Sequence, residues 1–216
     1  MNLQFFGGGS SGAGALPSGG GGNVDIISTS DLISDRALHQ EGTDAVLRVS
    51  ERTDRLWGEN NLAQLQTAKL ATKDQNVLGF YDGNNVAINE KFIKNMDKTY
   101  DRSVKTGYHP SRGNKTGVEA VASHEFGHSL TDKVGQKMGV NDIDKAAKRI
   151  VKEARKKTSH KNDTSFASKI SGYGKSSYAE CVAEAFADWY CNGSKAKAES
   201  RSVVAVMNKY LKGGKK

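Results

Sequence analysis

The chain has 216 residues, of which 36% are apolar, and a formal net charge of +8. This length suits one domain with a core of ordinary size and excludes two large domains. No run of about 18 apolar residues occurs, which excludes a transmembrane helix and gives no reason to expect a membrane partner.

The first 22 residues differ in composition from the rest of the chain. Residues 7–22 contain nine glycines in sixteen positions, and such a segment cannot bury enough apolar surface to offset the entropy lost on ordering. Residues 1–22 are therefore predicted to be a disordered leader and Gly/Ser-rich tether, and residues 23–216 one domain. The start, MNLQFF, lacks the basic region and long apolar segment of a secretory signal, so we expect an intracellular protein.

The stretch between residues 43 and 115 mixes helical and extended patterns. Apolar residues at helical spacing predict helices at 43–57 and 91–100. Two short apolar runs flank Asp82-Gly83 and predict a β-hairpin over 76–89. Residues 101–115 are predicted to be a polar loop. Together with the helices that follow, this indicates an α+β domain, mostly helical with a small sheet.

A predicted helix at 117–134 carries the run His124-Glu-Phe-Gly-His128. Residues four apart lie one above the other on a helix, so both imidazoles can bind one Zn²⁺ ion. Glu125 can then act as a general base on a water molecule at that ion. The alternative is a pair of satisfied or exposed histidines without a metal.

The next predicted helix, 142–157, is strongly basic on one side. Its apolar residues recur at helical spacing, and the basic residues between them are Lys145, Lys148, Arg149, Lys152, Arg155, Lys156 and Lys157. We interpret this side as a solvated face, because no aromatic platform or binding motif accompanies it. A nucleic-acid partner is therefore not expected, although a nucleic-acid site is the alternative interpretation of the charge.

A predicted helix at 178–191 is almost wholly apolar apart from Glu180, Glu184 and Asp188. These acids follow at four-residue steps and form one stripe on a helix that must be largely buried. A catalytic zinc needs a third protein ligand, and a bound histidine usually donates its other ring N–H to a carboxylate. The pair Glu180 and Glu184 can supply both. The alternative role for Glu180 and Glu184 is helix capping or ion pairing. For Asp188 this is the role that we favour.

Two motifs together resemble a known family: HEFGH at 124–128 and YGKSSYAECVAEAF at 173–186. They are similar to the zinc peptidase domain of the anthrax lethal factor type and to related metallopeptidases of phages and mobile elements. The resemblance implies a zincin-like fold over about residues 60–195. It implies zinc ligands His124, His128 and Glu180, the general base Glu125, and Tyr173 stabilising the transition state. It also implies that Glu184 supports a histidine.

A second register is open within the same helix. Glu184 to Asp188 is similar to the E-x-x-x-D helix of thermolysin-like peptidases, which would make Glu184 the ligand and Asp188 its support. We favour Glu180, because the position of Tyr173 relative to the third ligand fits the resembling family only in that register.

Residues 77–89 resemble the edge strand that holds substrate in zincins, with an ordinary hairpin as the equal alternative. Asp132 is expected to be an exposed acid at the helix end rather than a support for a ligand.

The remaining histidines and the cysteines are given no catalytic role. His39, His109 and His160 stand in polar surroundings. Cys181 and Cys191 lie ten residues apart on one predicted helix, about 15 Å along its axis, and cannot form a disulfide with each other. Free thiols of a reducing compartment are expected, with Cys181 a small buried residue rather than a metal ligand.

The sequence thus predicts a zinc-dependent metalloendopeptidase, encoded by a phage or mobile element, that acts on a protein or peptide substrate. The alternative is a phage structural or assembly protein that keeps the fold as a scaffold. The leader is similar in style to those of phage-borne proteins, so phage structural proteins are partners to expect for it. The expected location is the bacterial cytoplasm or the virion.

Overall fold

The computed structural model describes residues 4–7, 36–58, 64–68, 77–83 and 85–213. This part of the chain is mostly helical with a small sheet, as predicted. The helices are α1 (Arg36–Trp57), α2 (Glu90–Ile93), α3 (Met96–Lys105), α4 (Gly117–Lys137), α5 (Ile143–Arg155), α6 (Asp163–Ile170), α7 (Tyr178–Asn192) and α8 (Ala198–Leu211). Short 3₁₀ turns at Tyr173–Lys175 and Gly193–Lys195 come before and after α7.

The sheet has four strands in the order β1-β3-β4-β2, namely β1 (Gln4–Gly7), β2 (Gln64–Ala68), β3 (Val77–Tyr81) and β4 (Asn85–Asn89). Strands β3 and β4 form the predicted hairpin, antiparallel and with Gly79 opposite Ile88. Gly83 in the turn has a φ of +100°, a conformation that glycine adopts without steric cost. Strand β1 pairs in parallel with β3, and strand β2 pairs in parallel with β4. Neither strand was predicted, because neither shows clear alternation of apolar and polar residues.

Part of the predicted leader is a strand. Gln4–Gly7 pair in parallel with β3, so the outer side of β3 is not an open edge in the described part of the chain. The interpretation of β3 as an edge strand is thus wrong where β1 lies on it. The rest of the predicted tether lies outside the described residues, and the domain boundary after residue 22 stays a prediction.

Two further sequence predictions need correction. The predicted helix at 91–100 is two helices, since α2 ends at Ile93 and α3 begins at Met96. The predicted polar loop at 101–115 is wrong in its first part, because α3 continues to Lys105, and His109 is 2% exposed rather than solvated. Helix α6 was not predicted, because its eight residues are too few to show a helical period.

The core lies where α4 meets α7. Every residue of α4 from Gly117 to Thr131 is buried, and so is every residue of α7 from Ala179 to Asp188. A helix that is apolar around most of its circumference is stable only when other elements surround it. Helices α1, α3, α5 and α8 and the hairpin provide that cover. The polar residues inside these two helices are therefore held in a dry interior.

The amphipathic prediction for α5 is confirmed. Its apolar residues, Ile143, Ala146, Ala147, Ile150, Val151 and Ala154, are buried. Most of its basic residues are exposed, and Arg155 pairs with Asp163 at 2.6 Å. Among the described residues, no helix is long and apolar enough to cross a membrane.

Both cysteines are free, as predicted, and both are buried, as predicted for Cys181. Burial raises the pKa of the Cys181 thiol to about 12, and it raises the pKa of the Cys191 thiol to about 12 as well. Since the thiolate is the reactive form, both side chains act as small apolar residues at neutral pH.

Candidate metal centre

Two helix starts fix the residues of the centre in place. The Thr116 hydroxyl accepts a hydrogen bond from the Glu119 backbone N–H and caps α4. The Ser177 hydroxyl accepts one from the Glu180 N–H at 3.1 Å and caps α7. Because Ser177 lies three residues before Glu180, the cap sets the first turn of α7 and with it the position of that carboxylate.

Gly127, inside the HEFGH run, allows α4 and α7 to approach closely. A Cβ atom at this position would lie 2.7 Å from the Cα atom of Ala183 and 3.2 Å from its carbonyl oxygen. Ala183 comes three residues after Glu180 and directly before Glu184, so the tight contact brings both carboxylates to the histidines of α4. The glycine therefore has a packing role that the motif alone does not reveal.

Replacing Gly127 by alanine is expected to separate the two helices, because the new methyl group meets backbone rather than a flexible side chain. We expect the free energy of unfolding to fall by about 1–3 kcal/mol and the affinity for zinc to weaken. Denaturant unfolding and zinc titration measure the two effects. An unchanged free energy of unfolding would show that the contact between α4 and α7 can accommodate a methyl group at position 127.

His124, His128 and Glu180 form a buried group that could hold a metal ion. The two Nε2 atoms of the histidines are 3.2 Å apart. The Oε2 atom of Glu180 lies 3.0 Å from His124 Nε2 and 3.5 Å from His128 Nε2. Three donor atoms from two helices thus converge on one point in the core.

These distances fit a tetrahedral ion. Bonds of about 2.0–2.1 Å at tetrahedral angles place neighbouring donors about 3.3 Å apart. Glu180 Oε2 is buried and, despite its closeness to His124, forms no hydrogen bond of good geometry within the described residues. A buried carboxylate oxygen without such a bond is costly unless another group satisfies it. Two imidazoles and a carboxylate are a donor set that zinc accepts.

Glu184 lies on the other side of His124. Its Oε1 atom is 2.9 Å from His124 Nδ1, so the carboxylate holds the ring nitrogen that points away from the three converging atoms. It also meets the Nδ1 atom of His109, at 3.1 Å from Oε1 and 3.2 Å from Oε2. This arrangement of carboxylate behind a ligating histidine is common at metal sites.

Glu125 is 0% exposed and follows His124 on α4. Neither of its carboxylate oxygens has a hydrogen-bond partner within the described part of the chain. Strand β3 passes directly beside it, since a Cβ atom at Gly79 would lie 3.2 Å from Glu125 Oε1. Glycine at this point of the strand leaves room for the carboxylate.

Tyr173 lies beside the histidines. Its ring stacks on that of His124 with 6.0 Å between the centroids, and its backbone N–H donates to the Tyr108 carbonyl. Burial, together with the charges of Glu180 and Glu125, raises the pKa of the Tyr173 hydroxyl above its ordinary value. The phenol therefore stays protonated and keeps its ability to donate a hydrogen bond.

Burial and neighbouring charges shift the pKa values of the residues in this cluster. Burial opposes charge on His124, but the nearby carboxylates of Glu180 and Glu184 stabilise the charged ring and raise the pKa of His124 to about 10. Burial likewise opposes charge on Glu184, yet the charge of His109 and bonds from both histidines lower the pKa of Glu184 to about 2. A metal ion at Nε2 would compete with a proton for that nitrogen, so its affinity is expected to fall as the pH is lowered. Burial raises the pKa of Glu125 well above its ordinary value.

Other predicted residues lie apart from this cluster. Asp188 accepts hydrogen bonds from the Lys197 backbone N–H and the Asn192 side chain, both at 2.9 Å, which is the capping role favoured for it. Asp132 is half-buried rather than exposed and accepts a hydrogen bond from the Tyr81 hydroxyl at 2.9 Å. The contacts of Asp188 do not match the thermolysin-like register, in which it would support Glu184 as the ligand.

His109 is the functional candidate that sequence reasoning missed. It follows a polar segment and precedes Pro110, so its surroundings in sequence suggest solvent. Only the fold shows that it is buried against Glu184, which lies 75 residues further along the chain. No local signal in the sequence identifies this contact.

Comparison of the chain with protein-family models, with curated proteins and with solved structures finds no match in any of the three. The candidate metal centre is thus defined by its own residues and their geometry.

Proposed function

We propose that the chain is a zinc-dependent endopeptidase. The observation that carries the proposal is the buried convergence of His124, His128 and Glu180, with the buried carboxylate of Glu125 next to them and beside β3. A zinc ion held by those three ligands would supply a Lewis acid that polarises a carbonyl group and lowers the pKa of water to about 7.

The other residues then have distinct tasks. Glu125 accepts a proton from the attacking water at a carboxylate oxygen and later returns it to the nitrogen of the leaving amine. The Tyr173 hydroxyl donates a hydrogen bond to the substrate carbonyl oxygen as negative charge develops on it. Glu184 accepts a hydrogen bond from the Nδ1–H of His124 and so keeps Nε2 available as a ligand. A peptide that adds to β3 as a strand would replace Gln4–Gly7 there.

A peptide library tests the proposal. Purified protein is incubated with the library in three states: as isolated, after chelation, and after zinc is restored. We expect cleavage that chelation removes and zinc restores, read by mass spectrometry as new termini. Cleavage that persists after chelation would contradict the proposal, and so would the absence of cleavage in all three states.

A further inference from the structure

A cleft with a volume of about 940 Å³ lies near the candidate metal centre, and its described lining contains none of the residues of that centre. Helices α2 and α3 form one side of it, and Tyr108 and Gly172 form the other. The Tyr108 ring packs on the Tyr173 ring with 5.3 Å between the centroids, and Tyr173 in turn stacks on His124. The wall of the cleft is thus two aromatic rings away from a proposed zinc ligand.

The cleft is basic. The charged side chains that line it are Lys91, Lys98 and Arg102, and no carboxylate is among its described lining residues. Lys98 and Arg102 are four residues apart on α3 and therefore share one face of that helix. By contrast, the cavity of about 580 Å³ between α5, α6 and α7 has lysines and aspartates mixed in its lining.

The charges of α3 are separated by helix face. Its acids, Asp97 and Asp101, turn to Arg112, whose guanidinium lies 3.4 Å from Asp97 Oδ2 and 2.8 Å from Asp101 Oδ1. Asp97 also accepts the backbone N–H of Gly117 at the start of α4. The acids of α3 thus pair on one side of the helix, whereas Lys98 and Arg102 line the cleft on the other.

We propose that this cleft binds acidic side chains of the peptide substrate and so determines specificity. The inference rests on the proposed peptidase function. A cleft of this size holds a few side chains rather than a nucleic-acid duplex. Phe92 and Tyr108 in the lining offer apolar contact to the stems of Asp and Glu side chains. Because the lysines and Arg102 are exposed, the preference weakens as salt screens the charges.

Binding is measured without hydrolysis, on the full chain with Glu125→Gln. The probes are two fluorescent peptide pools that differ only in having Asp and Glu or Asn and Gln at the same randomised positions. In the cleft variant, Lys98→Glu and Arg102→Glu are added. The control variant adds Lys152→Glu on the exposed face of α5 and Lys156→Glu at the C-cap of that helix, with the same four-residue spacing and the same change in net charge.

At low salt we expect the acidic pool to bind about tenfold tighter than the amide pool. The cleft variant should lose this advantage, and the control variant should keep it. Equal binding of the two pools, or equal loss in both variants, would overturn the inference. Failure of the peptidase proposal is a separate result, since it would show as absence of cleavage by the wild type.

A different observation concerns His109, whose side chain is fully buried. Its ring stacks on Tyr100 with 5.5 Å between the centroids and meets the Tyr173 ring edge-on, also at 5.5 Å. Its Nδ1 atom contacts both oxygens of Glu184, the carboxylate that holds His124. Two residues of the candidate centre, Glu184 and Tyr173, therefore rest against one imidazole.

We infer that His109 is a positioning residue, which fixes Glu184 behind His124 and limits the movement of Tyr173. The inference rests on the proposed zinc site. Residues that orient a metal-bound histidine typically change metal affinity by about ten- to a hundredfold when they are removed. His160 offers a matched control, because its Nε2 atom lies 2.6 Å from Glu199 Oε1 in a similar contact remote from the centre.

The test is zinc affinity by chelator competition, with the visible spectrum of the Co²⁺-substituted protein as a second readout. We expect His109→Ala to weaken zinc binding about ten- to a hundredfold and to shift the Co²⁺ bands. His109→Gln, which keeps a hydrogen-bond donor, should recover part of both, and His160→Ala should change neither. Wild-type affinity and an unchanged spectrum in folded His109→Gln and His109→Ala proteins would refute the role.

Discussion

Glu125→Gln is expected to keep about one zinc per chain and to lose hydrolysis almost completely. The substitution changes one oxygen for an amide nitrogen and leaves His124, His128 and Glu180 untouched. Because Glu125 makes no hydrogen bond within the described residues, no bond is broken. What disappears is the proton acceptor, and general acid–base groups contribute about 10²–10⁴-fold to rate.

Zinc content and the thermal unfolding curve are the controls for this variant, and both should match the wild type. The rate is measured on a peptide that the wild type cleaves. Full activity in a protein that still holds its zinc would remove Glu125 from the mechanism. Loss of zinc together with activity would instead place Glu125 among the groups that hold the metal.

The second large effect separates Glu180 from Glu184. Structural zinc sites bind with about 10–16 kcal/mol, or about 3 kcal/mol for each of four ligand positions. We therefore expect Glu180→Ala to weaken zinc binding by about a hundredfold or more and to abolish cleavage. Glu184→Gln should bind zinc about ten- to a hundredfold more weakly than the wild type, since it removes the acceptor behind His124 and leaves the ligands in place.

Equilibrium titration with a competing chelator measures both affinities under one set of conditions. The matched pair shares the buried surface of α7, so a general loss of packing would affect both. Zinc binding that survives Glu180→Ala and fails in Glu184→Gln would reverse the assignment. That result would favour the thermolysin-like register, in which Glu184 is the ligand.

The sequence could predict the helices that carry the site because their patterns are local. The spacing of His124 and His128 needs only the pitch of one helix, and the acidic stripe of α7 needs only another. Tyr173 could be assigned because its separation from Glu180 along the sequence matches that in the resembling family. These expectations depend on short-range geometry, which residue order determines directly.

The contacts between distant elements could not be predicted in this way. His109 reaches Glu184 across 75 positions, and Gly127 meets Ala183 across the contact of α4 and α7. Residues 101–115 resemble a solvated loop in sequence because the neighbours of His109 are polar. In the fold His109 is buried, and the carboxylate of Glu184 on α7 provides its hydrogen-bond partner. Pairing of β1 and β2 into the sheet depends likewise on partners far along the chain.

Metal content of the purified protein tests the central claim most directly. Elemental analysis against protein concentration should give about one zinc per chain for the wild type. It should give almost none when His124 and His128 are both replaced by alanine. A wild-type protein that holds no metal after incubation with equimolar zinc, or a double variant that holds as much as the wild type, would contradict the account.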